Sequence, residues 1–202
     1  MSASDIAIAT IKQEHRSLGT VLHTLRELVR KIEAGHATAD FGMLAVALYY
    51  IHEFPERCHH PKEDEYLFKQ LRLRTSELDA VLDRLQSAHA RSTHVVADLH
   101  CKLVHYQAGA SGGLRQFHEA VDNYAADMLA HFLQEDDVLA QARHVLTEDD
   151  WERIAWAFTA NDDPLFGGNQ RQEFTRLYQR ITRLAPRKLK PGLRAGSTSP
   201  PL

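Results

Sequence analysis

Up to about residue 160 the chain carries few glycines or prolines, and its apolar residues recur at three- and four-residue steps. That spacing marks helices that each bury one face, and no segment shows the alternation of a strand. Ser4 or Asp5, both good N-caps, opens a first helix with the stripe Ile8, Ile11, Leu18, Leu22, Leu25 and Val29, which stops near Gly35. A second starts after Asp40 and runs through Leu44, Leu48 and Ile51 to Leu67 and Leu71. Pro55 and Pro61 should bend or break it locally. A third begins at Thr75-Ser76, carries Leu78, Leu82, Leu85, Val96, Leu99 and Leu103, and ends in the glycine-rich loop 108–113; a fourth spans Leu114 to about Leu146.

Four long helices with short connections predict an all-α protein, an antiparallel up-down-up-down four-helix bundle. Two additional C-terminal helices are expected. Thr147 to Asp150 reads as a capping-box variant opening one of them, and Gln170 to Leu184 is amphipathic. Trp151 and Trp156 would pack the added helix on the bundle. The expected organisation is a bundle over 1–146, appended helices over 147–185, and a basic, proline-rich tail over 186–202 with too few apolar groups to fold alone. The added helices could cap the bundle or form a homodimer contact; both uses are open.

A net charge of -3 gives no reason to expect nucleic acid or an anionic membrane as partner. No apolar run approaches the roughly 18 residues of a membrane span, and the N-terminus lacks the pattern of a secretory signal. Two cysteines make a disulfide framework improbable and point to a reducing cytoplasm. The unusual count is thirteen histidines.

Two stretches repeat. His59-His60-Pro61-Lys62-Glu63-Asp64-Glu65-Tyr66-Leu67 and His131-Phe132-Leu133-Gln134-Glu135-Asp136-Asp137-Val138-Leu139 both read H-x-x-x-E-D-[ED]-x-L. A His and a Glu four apart share one helix face, about 6 Å apart along the axis, close enough for a common metal. Spacing alone is weak support, because His23 with Glu27 and His118 with Asp122 have it too, and such pairs are ordinarily solvated. The longer shared context and the placement on alternate helices set these two apart. Glu14-His15 on the first helix and Ala88-His89 on the third supply the complement. Each half is thus a helical hairpin with one His on its first helix and an H-x-x-x-E on its second. Packed together, the halves bring four His and two Glu inside, a pseudo-twofold set for two metal ions, each on two imidazoles, with both carboxylates available as bridges. Imidazole plus carboxylate suits iron, manganese or zinc. On the second helix His59 and His60 both qualify, and the repeat favours His59, which lies four before the Glu that aligns with Glu135.

These motifs, Glu14-His15, residues 59–68, His89 within 85–92 and residues 131–139, resemble the hemerythrin-like (HHE cation-binding) family over roughly residues 5–145. The resemblance implies an oxo- or hydroxo-bridged di-iron centre, with His15, His59, Glu63, His89, His131 and Glu135 as metal ligands. The family's oxygen carriers use five histidines, and an Asp one place further along the last helix. Here position 93, one turn beyond His89, is Thr, so the set looks like that of the four-His, two-Glu relatives, with Asp136 an alternative to Glu135.

What the resemblance implies for function is binding of O2 or a related ligand, NO or peroxide, for sensing, storage or detoxification. The alternatives are a di-iron peroxidase or catalase-like enzyme, a nitrosative-stress repair enzyme, or an iron-responsive interaction module. Repair relatives often carry a cysteine-bearing N-terminal domain, which is not seen here. Among neighbouring residues, Glu56 is a candidate acceptor for His59, and His52, two turns before His59 and too far along the axis to share its metal, reads as a partly buried structural residue. Cys58 reads as a spectator thiol, and Tyr49, Tyr50 and Tyr124 could reach the cavity, though tyrosines at helical spacing are mostly core.

Overall fold

The computed structural model describes residues 1–159 together with Gln179, Ile181 and Arg183, the side chain of Cys58 excepted. The expected helix from Gln170 and the basic tail lie outside the described residues, the three named positions aside, as does the reading of the Cys58 thiol. Every regular element among the described residues is helical: α1 (Ala3–Glu33), α2 (Phe41–Phe54), α3 (His60–Lys62), α4 (Lys69–Arg74), α5 (Asp79–Gln107), α6 (Gly113–Val145) and α7 (Glu148–Thr159). None of them is long and apolar enough to cross a membrane.

The termini follow their sequence signals with small shifts. Helix α1 is capped by Ser2 rather than by Ser4 or Asp5. Ser2 accepts from the Asp5 amide while the Asp5 carboxylate accepts from the Ser2 amide, so Asp5 is the far half of a capping box. Gly35 at φ +71° ends the helix, with the His36 amide closing back on Lys31. Asp40 caps α2 as expected. Gly113 opens α6 where α5 comes closest: a Cβ there would lie 2.9 Å from the Tyr106 Cα, so no side chain fits without moving backbone.

The two prolines do not break the second helix. Residues 41–74 stay helical throughout, but Pro55–His59 and Glu63–Phe68 are π-helical. Proline offers no amide to the α-helical ladder, and a wider turn lets the chain pass it without leaving the helix. The local distortion is therefore an expansion of the turn.

Rods α1, α2–α4, α5 and α6 form a closed ring of neighbours: α1 on α2, α2 on α5, α5 on α6, and α6 back on α1. Helix α7 lies along α1, opened by Thr147 and Asp150, which bond each other reciprocally. Two separate apolar clusters fill the interior. One holds Leu18 to Leu25, Met43 to Phe54, Val96 to Leu103 and Phe117 to Phe132, with Ile181 against it. The other holds Ala7 to Ile11, Leu67 to Leu71, Leu78 to Leu85, Val138 to Leu146, and Trp151, Ile154 and Phe158 of α7. Trp151 is buried as expected, whereas Trp156 is 65% exposed and meets the Tyr66 ring edge-on.

Candidate metal centre

Between the two clusters each of the four rods changes from apolar to polar at one level. Helix α1 does so at Glu14 and His15, the second rod at His59, His60 and Glu63, α5 at His89, and α6 at His131 and Glu135, and all eight residues are buried. The helical phase that drives the apolar stripes inward carries these side chains with it, so the cost of burying them is met by the packing on either side.

The six side chains of the repeat converge. His15 Nε2 and His59 Nε2 stand 2.9 Å apart, and His89 Nε2 and His131 Nε2 3.0 Å apart. Glu63 turns Oε1 to the first pair, 3.6 Å from His15 and 3.3 Å from His59, and Oε2 toward His89 at 3.7 Å. Glu135 does the reverse, with Oε2 3.3 Å from His15 and Oε1 2.8 Å from His131 and 3.5 Å from His89. Each carboxylate therefore spans both histidine pairs. Two nitrogens bound cis to a transition metal at about 2.1 Å would stand ~3.0 Å apart, which is the spacing of each pair.

Neither oxygen of Glu63 or of Glu135 has a hydrogen-bond partner, though all four are buried. Buried carboxylate oxygens without donors are costly, and a cation between the pairs satisfies them. His15, His59, Glu63 and Glu135 form one set of donors able to hold an ion; Glu63, His89, His131 and Glu135 form a second. The residues fit a dinuclear site.

Acidic side chains stand behind the rings. Glu14 Oε2 lies 2.6 Å from His59 Nδ1, and Asp64 Oδ1 lies 3.0 Å from His89 Nδ1. An acceptor at Nδ1 fixes that nitrogen as the N–H and leaves Nε2 for the metal. Burial opposes a charge on His59, but the field of Glu63 and the bond to Glu14 outweigh it and push its pKa up to about 9. At His89 burial is again outweighed, here by Asp64, Glu135 and Glu63, to about 10. Glu135 is held well below the carboxylate range: burial would raise it, and the neighbouring imidazoles of His131, His89 and His15 prevail. The carboxylates thus favour the protonated form of His59 and His89, and a cation binding there would displace those protons.

Aromatic rings wall the site. Phe132 stacks on His15 at 4.4 Å between centroids, Phe54 on His59 at 5.9 Å, Phe68 on His89 at 5.8 Å, and Phe158 of α7 meets His59 edge-on at 6.2 Å.

The neighbouring residues divide: Glu56 and Asp136 depart from the roles considered for them, whereas His52, Tyr50 and Tyr124 are structural as expected. Glu56 does not serve His59; it accepts from Thr93 Oγ1 at 2.7 Å and faces His60 Nδ1 at 3.4 Å, and Glu14 has the position behind His59. Asp136 points away from the cluster to Lys12 Nζ, 3.1 Å away, while Glu135 points in. His52 is partly exposed and contacts Glu53. Tyr50 and Tyr124 belong to the first apolar cluster, and Tyr49 is exposed. Sequence reasoning gave no role to Glu14 or Asp64. The signal was an acid directly beside His15 and beside Glu63, but which ring each acid reaches depends on packing between rods.

The hemerythrin HHE cation-binding domain family matches residues 6–150 of the chain. The comparisons with curated proteins and with solved structures each returned no match.

Proposed function

This chain belongs to the hemerythrin HHE cation-binding family, and on that premise we propose that it holds two iron ions and binds O2, NO or peroxide at them, for sensing, storage or detoxification. The observation that carries this reading is the pairing of His15 with His59 and of His89 with His131, with Glu63 and Glu135 each turning one oxygen to each pair. His15 and His59 would hold one ion, His89 and His131 the other, and the two glutamates would bridge. When bound, the irons supply redox equivalents and coordination to a small ligand.

The chain's own contribution is positioning and exclusion. Glu14 and Asp64 keep the Nδ1 protons of His59 and His89, so Nε2 is the nitrogen presented. Phe54, Phe68, Phe132 and Phe158 keep the site dry, which strengthens every electrostatic contact inside it. The scaffold in this reading is the antiparallel four-helix bundle of residues 1–146, with appended helices over 147–185 and a solvated tail over 186–202. A reducing cytoplasm suits ferrous iron and the two cysteines. Partners in this reading are small ligands rather than nucleic acid or membrane, and a homodimer through the added helices is compatible with it.

The test is iron analysis and a visible spectrum on protein purified in air, repeated after reduction and re-exposure to oxygen. The expected result is about two irons per chain, as in di-iron bundles, with near-ultraviolet absorption that bleaches and returns. A His15→Ala/His131→Ala variant should lose the metal. Fully folded, colourless protein that takes up no iron would refute the reading.

A further inference from the structure

His60 is buried beside the centre, and the six-residue set leaves it without a task. It is 4% exposed, and its ring lies parallel to His89 at 4.0 Å between centroids and edge-on to His131 at 5.7 Å. One donor atom each from His60, His89 and His131 fall within 4.8 Å of one another, as they would around a common ion. Its Nδ1 lies 3.4 Å from Glu56 Oε1 but out of line for a hydrogen bond, and its Nε2, on the far side of the ring, has no partner. Glu56 is itself fixed by Thr93. The placement repeats that of Glu14 behind His59 and Asp64 behind His89, a carboxylate on the Nδ1 side of the ring, but here Nε2 meets no second imidazole nitrogen. Burying such a nitrogen with nothing to bind is unfavourable, and native interiors avoid it.

The backbone explains how two neighbouring residues can both reach the centre. Successive side chains on a helix diverge by about 100°. His59 closes the first π-helical stretch and Glu63 opens the second, with His60 between them. His59 meets His15 on one side, and His60 meets His89 and His131 on the other.

We propose that His60 is a fifth imidazole donor, given to the ion held by His89 and His131. This rests on the two-iron reading above. The centre is then unsymmetrical, with two imidazoles at one ion and three at the other. The fifth nitrogen comes from the second rod rather than from α5, where Thr93 instead holds the carboxylate behind His60.

The experiment titrates the full-length, metal-free chain anaerobically with ferrous iron against a competing chelator, and records Mössbauer spectra of 57Fe-loaded samples. Wild type should show two quadrupole doublets of equal area. In His60→Gly one ion should bind as in wild type, and the other should weaken by about 10–100-fold or more, with one doublet altered. Added imidazole, filling the space left by the ring, should restore both the affinity and the doublet. Glu56→Gln should weaken the same ion by a smaller factor, and it decides the matter if the glycine variant does not fold. Unchanged affinities and spectra in folded His60→Gly or in Glu56→Gln would overturn the proposal. So would a glycine variant that loses both ions and ignores imidazole. Wild-type protein that binds no iron would remove the two-iron reading itself, so the two failures are distinguishable.

Discussion

Asp150→Asn should loosen the seat of α7 by an amount that depends on pH. Asp150 is buried under its own partners: Arg74 Nε and Nη2 donate to it at 2.9 and 3.1 Å, and Thr147 donates from its amide and hydroxyl at 3.0 and 2.8 Å. The Arg74 hydrogen bonds, against the opposing effect of burial and aided by Thr147, hold the carboxyl at about 2 against an ordinary 3.8. Fully realised, that difference corresponds to ~2.5 kcal/mol. The Arg74 side chain is 42% exposed, so water screens the pair and about half remains, ~1 kcal/mol. Thr147 remains the cap and an asparagine oxygen can still accept from its amide, so the capping box is kept and the charge is the main loss. The expected loss at neutral pH is ~1 kcal/mol, a fall in Tm of about 2–4 °C for a chain of this size.

The sign follows from the lowered pKa. The stabilisation is complete above the unfolded value near 3.8 and disappears as pH falls through about 2. Urea denaturation of metal-free protein at a series of pH values reads it directly. The gap between wild type and variant should be constant from about pH 7 to about pH 5 and close below about pH 4. No gap at neutral pH, or one that persists unchanged into acid, would refute the assignment of this stability to the Asp150–Arg74 pair.

Three other outcomes are expected. Glu14→Gln keeps the shape beside His59 but removes the charged acceptor, and should weaken iron at the His15/His59 half by about 10–100-fold in chelator competition. Phe158→Ala empties a fully buried site under α7 and should cost about 3–5 kcal/mol in denaturant unfolding, with preserved α1–α6 helicity by circular dichroism. Iron at about a hundred times its dissociation constant should add ~2.7 kcal/mol of stability, read as a rise in Tm that EDTA reverses.

Much of the scaffold was legible because helices announce themselves by apolar period and by caps. Asp40, Gly35 and the Thr147–Asp150 box stand where the sequence placed them, and Ser2 differs from the expected cap by a few residues. The six side chains His15, His59, Glu63, His89, His131 and Glu135 were legible through the internal repeat, and the fold brings them together. Two things were not. Pro55 and Pro61 signal a disturbance without saying which, and the chain answers with π turns that no apolar period reveals. His60 was legible only as the alternative to His59, since an α-helical step puts neighbours on different faces, and the packed rods are what set both rings beside the other histidines. Contacts between rods, such as Glu14 to His59 and Asp64 to His89, depend on crossing geometry that a single sequence does not encode locally.

The division of the interior into two apolar clusters has a consequence for how the protein comes apart. Every one of the four rods contributes side chains to both clusters and crosses the polar layer between them. With cations in that layer, opening either end must tear donors from a shared centre, and amides at both ends should exchange with solvent only through one global event. Emptied, the layer joins the ends by protonated histidines and carboxylates alone, and each cluster becomes a cooperative unit with its own opening free energy. On the two-iron reading, metal occupancy would set how many folding units the chain has, and hydrogen exchange would count them.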